Sequence, residues 1–190
     1  MHLLRYLRPA LVAVELESVE RPPDFVEWER AAIHAEESGK PIPPRPDFDD
    51  PSDEIRAHRK WAVVEEIASL FDRSGEIRNL HKFARDFEER ERKSTTAVGG
   101  GLAIPHIRSM QPRKLVVCLA RSRAGAEWLA EDGDPVHVFF GIASPSYEDR
   151  DYWKLYRWVA NIFSQESWLM DAIMDASDAD ELVHLFKGLR

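Results

Sequence analysis

Val98 to Ser109 read VGGGLAIPHIRS. Three glycines run into a short apolar stretch, then a Pro-His pair, then an arginine. Short apolar text between turn residues is the pattern of a strand in a buried sheet. Two more such runs follow, KLVVCLARS and PVHVFFGIAS. Helical text brackets them. EIRAHRKWAVVEEIASLFDRSG, from Glu54, sets Trp61, Val64, Ile67, Ala68 and Phe71 at helical spacing and stops at Gly75. A second helix is predicted from about Ile77 to Arg92, with Leu80, Phe83, Ala84 and Phe87 inward. Beyond the strands, helices are predicted over about Arg150 to Phe163, Glu166 to Met174 and Ala179 to Phe186. Ser177-Asp178 caps the last of them. ALVAVELE, from Ala10 to Glu17, alternates apolar and polar residues and reads as a first strand. The mixture predicts a single layered α/β domain with helices on both faces of its sheet.

The chain has 190 residues, 44% of them hydrophobic and 32% charged, enough for one soluble domain with an appendage. Its formal net charge of -8 speaks against nucleic acid as a partner, because phosphate contacts need a clustered basic surface. No apolar run approaches a membrane span. The opening MHLLRYLRPALVAVE has too short an apolar core for a signal peptide. No membrane insertion is expected, and the cytoplasm is the default location. Cys118 is the only cysteine, which excludes an intrachain disulfide and argues against a cysteine zinc cluster. Within KLVVCLA it reads as a small buried hydrophobe. His2, His34, His58, His81, His137 and His184 show no ligand spacing, so neither a metal nor a cofactor is expected. Trp153, Tyr156, Ala160 and Phe163 recur at the spacing of a packed helix face.

One segment breaks the rhythm. Glu20 to about Glu54 holds most of the chain's prolines. Phe25 to Glu37 can form a short helix, but PIPPRP cannot, because proline lacks the amide hydrogen and favours an extended backbone. The expected division is 1–19 as the first-strand region, 20–53 as a proline-rich surface insertion and 54–190 as the main part of the domain. A proline-motif ligand for a partner is the sharper alternative for the insertion.

His106 is the candidate for chemistry. Pro105 fixes its own φ and biases Ile104 toward extended geometry, so the chain leaves the strand at a set angle. One ring nitrogen of His106 is then available to act, while a backbone carbonyl can hold the other and fix the tautomer. Histidine can act as a nucleophile and carry a covalent intermediate. An anionic group on it would want hydroxyl, amide and arginine donors, and Arg90, Thr95, Thr96 and the amides of Gly99, Gly100 and Gly101 lie just upstream.

EERERKSTTAVGGGLAIPHIRS resembles the active-site region of phosphotransferase-system enzyme IIA domains of the fructose/mannitol class, which include the nitrogen-regulatory proteins. The likeness continues through DGDPVHVFFGIASP (Asp132 to Pro145), YWKLYRWVANIF and SDADELVHLFKG. It covers about Glu54 to Gly188, with Ala10 to Glu17 similar to the first strand. The resemblance implies a mixed five-stranded sheet between helices. It also implies a cytoplasmic phosphohistidine carrier of the transferase type, in place of a free-standing enzyme. His106 matches the phosphorylated histidine, Arg90 the arginine beside it, and Thr95 and Thr96 the Ser-Thr pair. The implied partners are a histidine phosphocarrier protein and an enzyme IIB or a regulated target protein. With no membrane or enzyme IIB segment in this sequence, regulation is expected over sugar transport by this chain alone.

Three departures from the family pattern stand out. Ile107 replaces a small residue, which predicts a bulkier rim beside the imidazole. Tyr152 stands where a second histidine is usual, offering a neutral donor to the phosphate instead of a charged one. The insertion separates the first strand from the first helix. These departures keep a second reading open, a non-phosphorylated interaction module that retains the fold.

Overall fold

The computed structural model describes residues 5–48, 51–148 and 150–189; His2 lies outside them. Six strands and seven α-helices form among the described residues. In chain order they are β1 (Val12–Ala13), α1 (Glu17–Glu20), α2 (Pro23–Glu37), α3 (Asp53–Asp72), α4 (Leu80–Lys93), β2 (Ala97–Gly99), β3 (Leu102–Ala103) and β4 (His106–Ser109). They continue with β5 (Val116–Ala126), β6 (Val136–Pro145), α5 (Arg150–Gln165), α6 (Trp168–Asp175) and α7 (Ala179–Leu185).

The sheet is mixed, in the order β1-β5-β6-β3-β2, with β4 also paired to β6. β5 and β6 lie antiparallel at its centre, from Val116 opposite Ala143 to Arg121 opposite Val138. β3 and β4 both run parallel to β6, one behind the other. The expected α/β class is present, but six strands occupy the five expected lanes, because one lane breaks at Ile104-Pro105. Proline has no N–H to give a ladder. The carbonyl of Pro105 still accepts from Ile142 N at 2.9 Å, so the lane keeps its course through the break.

Strand alternation divides the core in two. Val117 and Leu119 of β5 with Val138, Phe140 and Ile142 of β6 pack among residues of α5, α6 and α7. Val116, Cys118 and Ala120 with Phe139 and Ala143 pack among residues of α3 and α4. Cys118 is fully buried, and burial raises its thiol far above the ordinary value. Gly141 lets α3 come this close to the sheet: a Cβ there would lie 2.5 Å from Cys118 Sγ and 2.7 Å from Phe71 Cζ.

Helix ends follow local capping. Ser52, Asn79 and Asp178 accept N–H groups at the starts of α3, α4 and α7, satisfying donors that a helix cannot. The first strand is the main departure. Instead of running from Ala10 to Glu17, it is reduced to Val12–Ala13, after a single 3-10 turn at Pro9–Leu11. The chain turns into α1 because Glu66 of α3 takes the N–H groups of Glu17 and Ser18 at 3.0 and 2.9 Å. A carboxylate at a helix start is favourable electrostatically.

The proline-rich stretch forms α2, starting two residues before Phe25 because proline suits the first helical turn. No regular structure follows from Lys40 to Asp47, most of it exposed. Arg59 of α3 holds Asp24 through two bonds, of 2.9 and 2.7 Å, and Phe48 O at 3.2 Å. Phe25, Trp28 and Phe48 meet edge to face or tilted, and Trp28 Nε1 donates to Pro43 O at 3.3 Å.

Candidate functional site

His106 opens β4, pairing with Ile142 across the lane. The strand's exposure alternates, with His106 and Arg108 half-buried and Ile107 and Ser109 buried. His106 Nδ1 lies 2.7 Å from Ile104 O. A carbonyl only accepts, so Nδ1 carries the ring hydrogen. His106 Nε2 lies 2.8 Å from Arg90 Nη2, and a guanidinium only donates, so Nε2 carries the lone pair. The ring is therefore held neutral with its nucleophilic nitrogen turned to a cation. Burial is the largest cause holding the imidazole below its ordinary value of 6.5; the Ile104 carbonyl opposes it and Arg90 adds to it.

Arg90 sits in the last turn of α4 and also donates through Nη1 to Ser94 O at 2.9 Å. This fork fixes the guanidinium between the helix end and the imidazole. Next to it, Glu91 is buried at the centre of a polar network. It accepts from Lys60 Nζ at 2.9 Å, from Thr96 N at 3.2 Å and from Thr96 Oγ1 at 2.7 Å. Trp128 closes the network, giving Nε1–H to Thr96 Oγ1 at 3.2 Å and taking Lys60 Nζ on its carbonyl at 3.1 Å. Buried charges need such partners. The network locks the end of α4, and with it the position of Arg90.

His106, Arg90, Arg108, Tyr152 and Trp153 line one open hollow of about 700 Å³, with Lys93 and Met110 also on its wall. From α5, Tyr156 stands edge-on to the His106 ring at 4.8 Å between centroids and Tyr152 at 6.3 Å. Tyr152 is 2% exposed, and burial pushes its phenol up to about 12, with the charges of Arg90 and Arg108 pulling the other way. It is a neutral wall of the hollow.

The structure brings His106, Arg90 and Tyr152 together and leaves the other candidates apart. Thr96 is spent on Glu91 and Trp128. Thr95 Oγ1 donates to Trp128 O at 3.1 Å. Gly99, Gly100 and Gly101, all at positive φ, make the tight turn from β2 to β3, a conformation other residues resist. Gly100 N donates to Asp132 Oδ2 at 3.0 Å, so that amide is not held ready for an anion on His106. Leu102 and His106 pair with Val138 and Ile142, four residues apart on β6, which sets the glycine turn roughly 13 Å along the sheet from the imidazole. Ile107 is a correction too. It still touches the hollow beside His106, but at 4% exposure most of its bulk packs among α3 and α4 residues, because alternation turns its side chain away from that of His106.

Arg108 and Tyr156 escaped the sequence reading as site residues. The signals were present: Arg108 is two residues from His106 on a strand, and Tyr156 is one helical turn from Tyr152. Among the described residues, no group of three or more His, Cys, Asp or Glu side chains could hold a metal.

The match to the family "Phosphoenolpyruvate-dependent sugar phosphotransferase system, EIIA 2" runs over residues 53–188, and the chain belongs to that family. A mannitol-specific phosphotransferase enzyme IIA component of Staphylococcus aureus is 30% identical over 136 residues, 70% of this chain and 88% of its own. The fructose-specific EIIABC component of Bacillus subtilis is 22% identical over 69% of this chain, which amounts to only 20% of that longer protein. Among solved structures, the nitrogen regulatory protein IIA-Ntr of Neisseria meningitidis matches with a TM-score of 0.61 and 26% identity, over 67% of this chain and 86% of its own. Among the described residues, no helix is long and apolar enough to cross a membrane.

Proposed function

We propose that this chain accepts a phosphoryl group on Nε2 of His106 from a phosphohistidine on a donor protein, and that it passes or reports this group as a regulatory carrier in the cytoplasm. The observation that carries the reading is the pair of contacts on the imidazole: Nδ1–H on Ile104 O, and the Nε2 lone pair facing Arg90 at 2.8 Å. In the transfer, the donor's N–P bond breaks and its electron pair returns to the donor ring. The Nε2 lone pair forms the new N–P bond, and the ring proton stays on Nδ1, donated to Ile104 O. Arg90 then shifts its N–H from Nε2 to a phosphoryl oxygen. Such transfer needs alignment and charge stabilisation more than covalent help.

The hollow's open rim supports a protein as the donor. Met110 and Trp153 are exposed apolar residues on it, beside the cation Lys93, a rim suited to a histidine phosphocarrier protein or, as the next partner, an enzyme IIB or a regulated target. The neutral Tyr152 favours slow exchange, which suits signalling over bulk delivery.

Incubation with phosphoenolpyruvate and the upstream carrier proteins, followed by intact mass measurement, tests this. The expected result is one acid-labile phosphoryl group, absent in His106→Ala. A wild-type chain that stays unmodified beside an enzyme IIA control that is phosphorylated would overturn it, leaving the interaction module.

A further inference from the structure

Arg108 lines the same hollow but has no role in the transfer described above. It lies two residues beyond His106 on β4, and the half-buried, buried, half-buried, buried pattern of that strand puts both side chains on one face. Same-face neighbours on a strand are roughly 6.6 Å apart at the backbone, a spacing that a long arginine side chain can span toward a phosphoryl group on the His106 ring. The guanidinium is also held in place. Arg108 Nη2 donates to Ser146 O, just past the end of β6, and the guanidinium carbon stands 6.0 Å from the centre of the Tyr152 ring. That ring is in turn 6.3 Å from the His106 ring. His106, Tyr152 and Arg108 thus form three sides of one corner, with Arg90 closing it from α4.

The charge balance of this corner needs a second cation. A transferred phosphoryl group spreads negative charge over three oxygens. Arg90 approaches from one side only, with part of its fork committed to Ser94 O. Tyr152 is a buried phenol and brings no charge. Lys93 is exposed to solvent, where its attraction is screened. Arg108 is a further half-buried cation on the wall of the hollow, carried by β4 where Arg90 is carried by α4.

We propose that Arg108 is a second phosphoryl-binding guanidinium of this site, gripping the oxygens of the transferred group from the β4 side while Arg90 grips them from the α4 side. The role rests on the phosphoryl-acceptor reading of His106. Neither arginine exchanges a proton during the transfer. Arg108 contributes by charge and by hydrogen bonds made to the phosphoryl oxygens as the donor's N–P bond opens. Its anchorage on Ser146 O keeps the guanidinium beside the Tyr152 ring.

Single-turnover rapid-quench measurement of phosphoryl transfer from the phosphorylated histidine carrier, over a range of carrier concentrations, is the test. Arg108→Gln is expected to lower the limiting transfer rate by roughly 10²-fold with the half-saturating carrier concentration little changed, and Arg108→Lys to recover part of the loss. A limiting rate within twofold of wild type in a folded Arg108→Gln would overturn the proposal. So would a defect confined to half-saturation, which would make Arg108 a docking residue. Should Arg108→Gln fail to fold, Arg108→Lys and Arg108→Met decide: equal limiting rates in the two overturn the proposal, and a faster lysine variant supports it. A wild-type chain that takes no phosphoryl group removes the His106 reading itself, and Arg108's role with it, so the two failures are distinguishable.

Discussion

Arg90 Nη2 and His106 Nε2 stand 2.8 Å apart, the cation giving its hydrogen to the lone pair that must attack phosphorus. At rest the guanidinium caps the nucleophile. Once a phosphoryl group arrives, the same guanidinium meets oxygens that carry more charge than the imidazole nitrogen does, and charge-assisted bonds of that kind are about twice as strong as neutral ones. Arg90→Gln is therefore expected to lower transfer to His106 by roughly 10²-fold. The thermal midpoint should barely move, because Arg90 is only half-buried. A variant that transfers at the wild-type rate would remove Arg90 from the site.

The neutral ring has a pH signature. Burial, the largest cause, keeps the His106 value below 6.5. In the unfolded chain the ring protonates near 6.5, so the stability tied to its neutrality is present above that pH and shrinks as pH falls below it toward the folded value. Ring C–H shifts followed by NMR should give a midpoint below 6.5, and Arg90→Gln should move it upward. A midpoint at or above 6.5 in the wild type would contradict the neutral resting ring and its Arg90 partner.

Lys60 and Glu91 are each 5% exposed and joined at 2.9 Å. Breaking a buried pair by removing one partner strands the other charge, at about 3–5 kcal/mol. Glu91→Ala should lose that much in urea unfolding, since Thr96 and Lys60 lose their acceptor together. Replacing both members with apolar residues of similar volume should recover much of the loss. A single variant losing less than about 1 kcal/mol would show that the network does not hold α4.

Deleting Pro22 to Pro51 should leave one cooperative unfolding transition. The aromatic group of Phe25, Trp28 and Phe48 stands outside both halves of the sheet core, tied to it mainly through Arg59 and Asp24. A melt without a cooperative transition would make this segment part of the core.

How far the sequence reaches can be judged residue by residue. Helices α3, α4 and α5 were legible because their apolar positions repeat at helical spacing, and Asp178 was legible as a cap because capping is local chemistry. The shortening of β1 was not, since it depends on Glu66, whose carboxylate arrives from 48 residues away to cap Ser18. Thr96 looked like a phosphate donor until Trp128, 32 residues on, claimed its hydroxyl. Arg90 was one of several upstream candidates, and only the family resemblance set it beside His106, because no spacing rule joins a helix end to a strand start. Strand alternation, by contrast, was available throughout and would have turned Ile107 inward and Arg108 outward.

The central claim is that Nε2 of His106 is the phosphoryl acceptor while Nδ1 keeps its hydrogen on Ile104 O. Nitrogen-15 NMR of the histidine rings, recorded before and after phosphorylation by the upstream carriers, reads this directly. The account predicts phosphorus coupling on Nε2 of His106 and a retained Nδ1–H. Phosphorus on Nδ1, or on any residue other than His106, would contradict it.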